Sequence, residues 1–146
     1  MKGIAQILRG KPSKVVHAIA PSDTVYDAVK KMAEQGIGAL LVMEGEKIVG
    51  IVSERDYARK IALAGRSSKD TPVSVIMTTD VLCVGPLQTT EECMAIMTEN
   101  RVRHLPVIDN GTLIGLVSIG DLVKDIISEQ QFIIEQLEHY ITGSHS

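Results

Sequence analysis

The hydrophobic residues of the chain follow a helical spacing in some stretches and form short continuous runs in others. Behind Thr24 the apolar positions recur at the spacing of an amphipathic helix, and Gly36 predicts its end. Apolar runs at 39–43 and 48–52, separated by a tight turn, predict the two strands of a hairpin. With a short extended segment near 15–19 and a second helix after the hairpin, the pattern predicts a β-α-β-β-α unit.

The same pattern returns 65 residues further along, where Pro86 falls on Pro21. Segments 21–61 and 86–126 align without a gap and share about 11 identical residues. The second copy predicts an extended segment at 81–84, a helix at 89–100 and strands at 105–108 and 113–117. Neither half is long enough to bury its own apolar face well. We therefore expect an α+β fold in which two tandem β-α-β-β-α repeats share one core.

The repeats divide the chain into five parts. These are an N-terminal flank with a short helix at 1–14, a first repeat at 15–65, a linker at 66–79, a second repeat at 80–127 and a C-terminal extension at 128–146. Within the linker, Thr71 and Pro72 are expected to cap a short helix that runs through Met77. Residues 142–146 are expected to fray.

The last predicted helix is longer than its counterpart in the first repeat. Its apolar stripe continues from 119 to 141, which corresponds to roughly 35 Å of amphipathic helix. One small repeat does not need this length, so we expect the excess to pack on a second copy of the protein and form a homodimer. The alternative is a helix that folds back over its own repeat.

Composition and charge narrow the classes of partner. Hydrophobic residues make up 45% of the chain but aromatic residues only 3%, which argues against recognition by base stacking. The net charge of −3 gives no global attraction for a polyanion, so nucleic acid is not expected as a partner, although a local basic pocket could hold one phosphate. No apolar run approaches the length of about 20 residues that a membrane span needs. We expect a cytoplasmic protein without a membrane partner.

No set of residues predicts catalysis or a metal site. The four histidines are scattered, and the six methionines lie at core-like positions. Cys83 and Cys93 have neither a zinc-ligand spacing nor the context of a disulfide framework. We expect two buried structural thiols, with a redox switch as the weaker alternative. The chain is therefore not expected to be an enzyme.

One short motif occurs in both repeats at the predicted strand-to-helix junction. It is Gly-h-Val-Ser-x-x-Asp, with h apolar, at 50–56 and 115–121. One interpretation is a capping box, in which hydroxyl and carboxylate satisfy the first amides of the helix. The other is a ligand site, because an Asp at a helix start can accept both hydroxyls of a ribose. Glu would cap equally well, yet both repeats use Asp.

These two motifs, together with Arg103-His104-Leu105-Pro106-Val107-Ile108-Asp109, closely resemble a pair of CBS domains, the family named after cystathionine β-synthase. The resemblance covers roughly residues 12–127 and is that of a stand-alone, bacterial-type pair. It implies a pseudo-two-fold module with two clefts for adenosine nucleotides. AMP is the leading candidate, and ADP, ATP, NAD(H) and S-adenosylmethionine are the alternatives. It also implies regulation of another, unidentified protein.

The resemblance assigns roles residue by residue. Asp56 and Asp121 match the ribose-binding Asp, and Ser53 and Ser118 supply the hydroxyls at the same helix starts. Phosphate-binding positions are matched by Arg55, Arg103 and His104. The adenine pocket of the Asp56 cleft would include Cys83, Val102 and Pro106, and that of the Asp121 cleft Ala18, Ile37, Gly38 and Ala39.

The repeats differ at these positions, because 103–106 is Arg-His-Leu-Pro and 38–41 is Gly-Ala-Leu-Leu. The Asp56 cleft is therefore expected to take a phosphorylated nucleotide. The Asp121 cleft would bind weakly, take another nucleotide, draw on Arg55, or admit a larger dinucleotide.

Two functions follow from the sequence. The leading hypothesis is an adenine-nucleotide sensor that passes its ligand state to a partner through a dimer. The alternative is a constitutive protein-interaction and dimerisation module that binds no ligand and uses its Ser-x-x-Asp motifs only as helix caps.

Overall fold

Two units divide the chain, and one of them is built from both of its ends. The computed structural model describes residues 3–12 and 15–142. The repeat-1 unit is Val15–Leu82, and the repeat-2 unit combines Met1–Lys14 with Cys83–Ser146. The elements are α1 (Ile4–Gly10), β1 (Ala18–Ile19), α2 (Val25–Gln35), β2 (Ala39–Glu44), β3 (Lys47–Ser53), α3 (Glu54–Tyr57), a π-helical segment (Ala58–Ala62), α4 (Val73–Ile76), α5 (Thr90–Asn100), β4 (His104–Asp109), β5 (Thr112–Ser118) and α6 (Ile119–Ile141). The predicted α+β class is confirmed.

The repeat-1 unit contains a three-stranded sheet in the order β1-β2-β3. β1 runs parallel to β2, and β2 is antiparallel to β3. The α2 helix begins as predicted, because the amide of Asp27 donates to the Thr24 hydroxyl, and it ends at Gly36 in the left-handed conformation. Its apolar face packs with the sheet, the π-helical segment and α4 in a core that includes Val25, Met32, Leu40, Val42, Val52, Ile61 and Ile76.

The second helix of repeat 1 is broken where the sequence predicts a continuous one. Four α-helical residues, Glu54–Tyr57, pass directly into the π-helical segment Ala58–Ala62. Ile61 is buried within this segment and packs in the repeat-1 core. The wider turn therefore brings one apolar side chain inward from a short helix.

The repeat-2 unit has a two-stranded antiparallel sheet, β4-β5. The strand predicted at 81–84 is not formed: only Val84 makes an isolated parallel bridge, to Val107. The α5 helix has a full capping box between Thr89 and Glu92, and Arg101 takes its left-handed C-cap position. The core of the repeat-2 unit includes Ile4, Val84, Cys93, Met97, Leu105, Val107, Val117 and Leu122.

A short helix from outside each repeat closes that repeat. In the repeat-2 unit, the amide of Ile4 in α1 donates to the Gln88 carbonyl at 2.9 Å. In the repeat-1 unit, the amide of Val73 in α4 donates to the Asp23 carbonyl at 2.8 Å. Since Gln88 and Asp23 are equivalent in the internal repeat, α1 and α4 are equivalent elements. The N-terminal helix thus belongs to the second repeat, and the linker helix belongs to the first.

Two glycines show the same equivalence. A Cβ placed on Gly115 would lie 2.6 Å from Leu8 Cδ2, and one on Gly50 would lie 2.7 Å from Met77 Sδ. Each glycine therefore lets a closing segment approach the middle of a strand. The linker helix was predicted through Met77 and ends at Ile76, with Pro72 at its N-cap. Thr71 instead donates its hydroxyl to the Ser67 carbonyl.

The α6 helix spans Ile119–Ile141, as the stripe predicts, but only its first part is buried. Leu122 and Asp125 are inside the repeat-2 unit, whereas Phe132, Leu137 and Tyr140 are exposed. The second half of the helix therefore does not fold back over its own repeat. Of the tail predicted to fray, residues 143–146 lie outside the described residues.

Candidate functional site

The Asp56 carboxylate lies at the junction of β3 and α3 and closes a capping box. Its Oδ2 accepts from the Ser53 amide at 2.9 Å and from the Ser53 hydroxyl at 3.1 Å. The Asp56 amide donates in turn to Ser53 Oγ at 3.2 Å. Lys60, one helical turn later, places its Nζ 3.5 Å from Asp56 Oδ1 and donates to the Ile76 carbonyl. The repeat-1 junction thus holds one carboxylate beside one lysine from its own helix.

The Asp121 carboxylate repeats this capping box at the junction of β5 and α6. Its Oδ2 accepts from the Ser118 amide at 2.8 Å, and its amide donates to Ser118 Oγ at 3.1 Å. The nearby lysine here is Lys11, which follows α1. Lys11 Nζ donates to Asp121 Oδ2 and to the Leu116 carbonyl, both at 2.9 Å. This cation reaches the junction from a segment 110 positions away in the sequence.

The electrostatics of Asp121 follow from these bonds. Burial disfavours its charge, but the hydrogen bonds from Ser118 and Lys11, together with the Lys11 charge, hold the pKa of this carboxyl below its usual value. Asp121 is therefore an ionised acceptor at neutral pH. In this form the carboxylate offers only acceptors, to which hydroxyl groups can donate.

His104 lies beside this cluster, in the same unit. It begins β4 and pairs with Ser118 across the sheet. Its burial lowers the pKa of the imidazole, the Asp121 charge opposes that effect, and the charges of Lys11 and Arg103 add to it. Asp121, Lys11, Arg103 and His104 thus interact within the repeat-2 unit. The corresponding strand positions of repeat 1 are Gly38 and Ala39, which carry no charge.

Of the predicted adenine-pocket residues, Gly38 is hydrogen-bonded to a junction of its own unit, and Arg103, predicted for phosphate, has the equivalent bond in the other unit. In the repeat-1 unit the Gly38 carbonyl accepts from the Glu54 amide at 3.1 Å, and in the repeat-2 unit the Arg103 carbonyl accepts from the Ile119 amide at 2.8 Å. In each unit the first residue after the strand-to-helix junction is therefore hydrogen-bonded to the residue that precedes β2 or β4. The remaining predicted residues are partly buried Ala18, Ile37 and Val102, buried Ala39 and Pro106, and exposed Cys83.

The cysteines differ from the expectation of two buried thiols. Cys93 is buried, and this burial together with the Glu92 charge raises its pKa to about 11. Cys83 is exposed, in a segment at 81–84 that forms no strand. Only Cys93 fits the description of an inert core thiol.

Sequence reasoning missed two lysines at the junctions. Lys60 carried a readable signal, since it lies four positions after Asp56 on a predicted helix. Lys11 carried none, because only the packing of α1 on the distant repeat brings it to Asp121. Arg55, predicted as a phosphate ligand, is exposed next to Asp56.

Two further properties of the chain bear on the kind of site. Across residues 3–12 and 15–142, no group of three or more His, Cys, Asp or Glu side chains could hold a metal ion. In the same part of the chain no helix is long and apolar enough to cross a membrane.

Comparison with known proteins places these junctions in a family. The CBS domain model matches residues 4–63 and 73–128, so that each match begins at the first residue of α1 or α4. The chain is 45% identical over 128 residues to the mitochondrial CBS domain-containing protein CBSX3 of Arabidopsis thaliana, covering 84% of this chain and 62% of that protein. It thus spans less than two thirds of that relative.

Solved structures are similar over most of the chain. A protein with CBS domains from Burkholderia ambifaria, whose name assigns it to signal transduction, is 59% identical with a TM-score of 0.86, covering 88% of this chain and 96% of that one. A hexameric CBS-CP12 protein from bloom-forming cyanobacteria is 27% identical with a TM-score of 0.73, covering 100% of this chain and 91% of that one.

Proposed function

Because this chain belongs to the CBS domain family and carries two CBS domains in one small protein, we propose that it is a non-catalytic sensor that binds an adenosine nucleotide. CBS pairs are regulatory modules of a family known for binding adenine nucleotides. The observation that carries the proposal is the pair of ionisable Asp side chains held at equivalent helix starts. The ligand state would pass to a regulated partner protein.

The proposed roles follow the chemistry of each side chain. Asp56 and Asp121 accept ribose hydroxyls in charge-assisted hydrogen bonds, and Ser53 and Ser118 hold them in place. Arginine and histidine donors at Arg55, Arg103 and His104 bind phosphate. The adenine lies against small and aliphatic surfaces formed by Ala18, Ile37, Gly38, Ala39, Cys83, Val102 and Pro106. AMP is the leading ligand, with ADP, ATP, NAD(H) and S-adenosylmethionine as the alternatives.

The test is a calorimetric and thermal-shift titration with these five ligands, with GMP as the control for the base. At about a hundredfold excess over Kd, a bound nucleotide should raise the free energy of unfolding by about 2–3 kcal/mol. Asp56→Asn and Asp121→Asn serve as matched variants, because the amide keeps an oxygen for the cap and loses the charge. The proposal fails if no adenosine ligand binds more tightly to the wild type than to the double variant.

We further propose that a second copy of the chain covers the exposed half of α6. The exposed residues Val123, Ile127, Ile134, Leu137 and Ile141 are separated by four, seven, three and four positions. Such a stripe is typical of a helix–helix seam, and a CBS protein of similar fold is hexameric. An Ile134→Glu, Leu137→Glu variant should sediment as a monomer, while Gln131→Glu on the same helix should not change the assembly.

A second function has an observation in its favour. Both carboxylates complete capping boxes, so each motif has a structural use without any ligand. A constitutive interaction module would keep its stability and its dimer when Asp56 and Asp121 are both replaced by Glu. The nucleotide sensor would keep them too, but would lose ligand binding, since Glu displaces the carboxylate by the length of one methylene group.

The cytoplasmic location stays a prediction, because one relative is named as mitochondrial.

A further inference from the structure

Lys11 lies outside the internal repeat, yet its ammonium group is fixed at the Asp121 junction. Its Nζ donates at 2.9 Å both to the Leu116 carbonyl and to Asp121 Oδ2. A lysine ammonium has three donors, and the Lys11 side chain is 29% exposed. The backbone bond to Leu116 would keep the ammonium in place if a ligand hydroxyl replaced it on Asp121.

This cation is particular to the repeat-2 unit and is not a requirement of the fold. Aligning α1 with α4, so that Ile4 matches Val73, places Asp80 at the position of Lys11. The closing segments therefore bring opposite charges. In the repeat-1 unit the Ile51 carbonyl, equivalent to that of Leu116, accepts instead from the Thr78 amide.

The surroundings of the two carboxylates differ in positive charge. Lys11 bonds directly to Asp121, and the charges of Asp121, Lys11 and Arg103 all act on His104. Asp56 has Lys60 at 3.5 Å, longer than an ordinary charge-assisted hydrogen bond. Lys11 and Arg103 together create a local positive field that attracts an anion to a site where a hydroxyl can also be held.

We propose that Lys11 binds the phosphate of a nucleotide whose ribose is held by Asp121, and that it makes this site select phosphorylated over unphosphorylated nucleosides. The inference rests on the proposed nucleotide-binding function and adds the ligand class of one site. It adds a phosphate-binding site at Asp121 to the one that the sequence predicts for the Asp56 cleft. On binding, one ribose hydroxyl takes the place of Lys11 on Oδ2, and the ammonium, still bonded to the Leu116 carbonyl, donates to the phosphate.

The experiment measures AMP and adenosine affinities by calorimetry on the full chain carrying Asp56→Ala, which leaves Asp121 as the ribose-binding carboxylate. Adding Lys11→Met should lower the affinity for AMP about tenfold. The affinity for adenosine should stay the same or rise slightly. The ratio of the two affinities should therefore fall. Lys11→Arg should keep most of the ratio, and Lys60→Met, the matched change in the other unit, should leave it unchanged.

Each other outcome decides against a specific claim. If Lys11→Met raises the affinities for both ligands equally, the lysine only competes with the ribose for Asp121, and the inference is wrong. If both affinities stay the same in a variant that melts like its parent, Lys11 is only structural, and the inference is also wrong. If Lys11→Met does not fold, Lys11→Gln gives the same comparison. If the protein without any substitution binds neither AMP nor adenosine, the proposed function itself fails.

Discussion

Asp56 and Asp121 occupy the same place in two copies of one unit, but the lysine beside each arrives by a different route. Lys60 comes from the helix that Asp56 itself begins, whereas Lys11 comes from the opposite end of the sequence. The position equivalent to Lys60 is Asp125, which is turned inward to accept from the Thr90 hydroxyl. The capping box is thus intrinsic to the repeat, while the charge around it is set by elements that have diverged.

The largest expected effect tests the inward turn of Asp125. Thr90→Val copies repeat 1, where Val25 occupies the equivalent position, but it removes the hydroxyl that donates to the buried Asp125 carboxylate at 2.8 Å. A buried charge that loses a donor should lower the free energy of unfolding by about 3 kcal/mol. Chemical denaturation measures the loss.

The control for this prediction replaces both partners. Thr90→Val combined with Asp125→Leu removes the charge as well as its donor and should recover most of the lost stability. A double variant as unstable as Thr90→Val alone would show that the cost arises from packing and not from the hydrogen bond.

A smaller effect compares the two close approaches of the closing segments. Gly50→Ala places a methyl group 3.0 Å from the Thr78 carbonyl, which is backbone, and should cost about 2 kcal/mol. In Gly115→Ala the nearest atoms belong to the side chain of Leu8, which can shift, and the change should cost about 1 kcal/mol. Denaturation of both variants checks the order. Leu8→Ala should relieve the strain in Gly115→Ala, and an equal loss with and without it would contradict this origin.

The third prediction uses the unequal charge around the two junctions. The pKa of His104 is lowered in the folded protein, so the folded state binds fewer protons than the unfolded state. The free energy of unfolding therefore falls as the pH drops below the ordinary histidine pKa of 6.5. From pH 7 to 5, the free energy of unfolding should therefore fall, with His104 as one source of the loss.

Denaturation at several pH values separates this contribution from others. His104→Gln should flatten the dependence, and His139→Gln, on the exposed half of α6, should keep it. An unchanged slope in His104→Gln would show that the imidazole does not sense this cluster. Asp121 acts in the same direction at lower pH, because a lowered carboxyl pKa loses its stabilising effect as pH falls through it.

The smallest effect concerns the ends of α2 and α5. Gly36 and Arg101 both adopt the left-handed conformation, with φ of 64° and 54°. Arg101→Gly should stabilise the protein by about 0.5 kcal/mol, and Gly36→Ala should destabilise it by about 1 kcal/mol. Thermal melts of the two variants should shift in opposite directions. A shift in the same direction would mean that the side chains, not the backbone, decide.

Local signals predicted most of the fold. The caps at Thr24, Thr89, Ser53 and Ser118, and the hairpins after the first helix of each repeat, depend on residues only a few positions apart. The internal repeat then allowed each half to support the interpretation of the other. Both candidate carboxylates were identified because their motif occurs twice in the same register.

What the sequence did not reveal depends on contacts that are distant along the chain. Nothing near Lys11 indicates that α1 packs on the second repeat, so the cation at Asp121 could not be assigned. The strand predicted at 81–84 failed because its apolar residues find only one bridge, at Val84. The π-helical segment was missed because its hydrophobic spacing differs little from that of an α-helix over five residues.

The interleaved composition of the repeat-2 unit has a consequence for the order of folding during synthesis. The repeat-1 unit is one continuous stretch, so its residues leave the ribosome without an intervening segment of the other unit. The α1 helix is made before the repeat-1 unit but cannot bond to Pro86 and Gln88 until that whole unit has been synthesised. The apolar face of α1, with Ile4 and Leu8, therefore stays unpacked until the second repeat has been synthesised, and the repeat-2 unit folds after the repeat-1 unit.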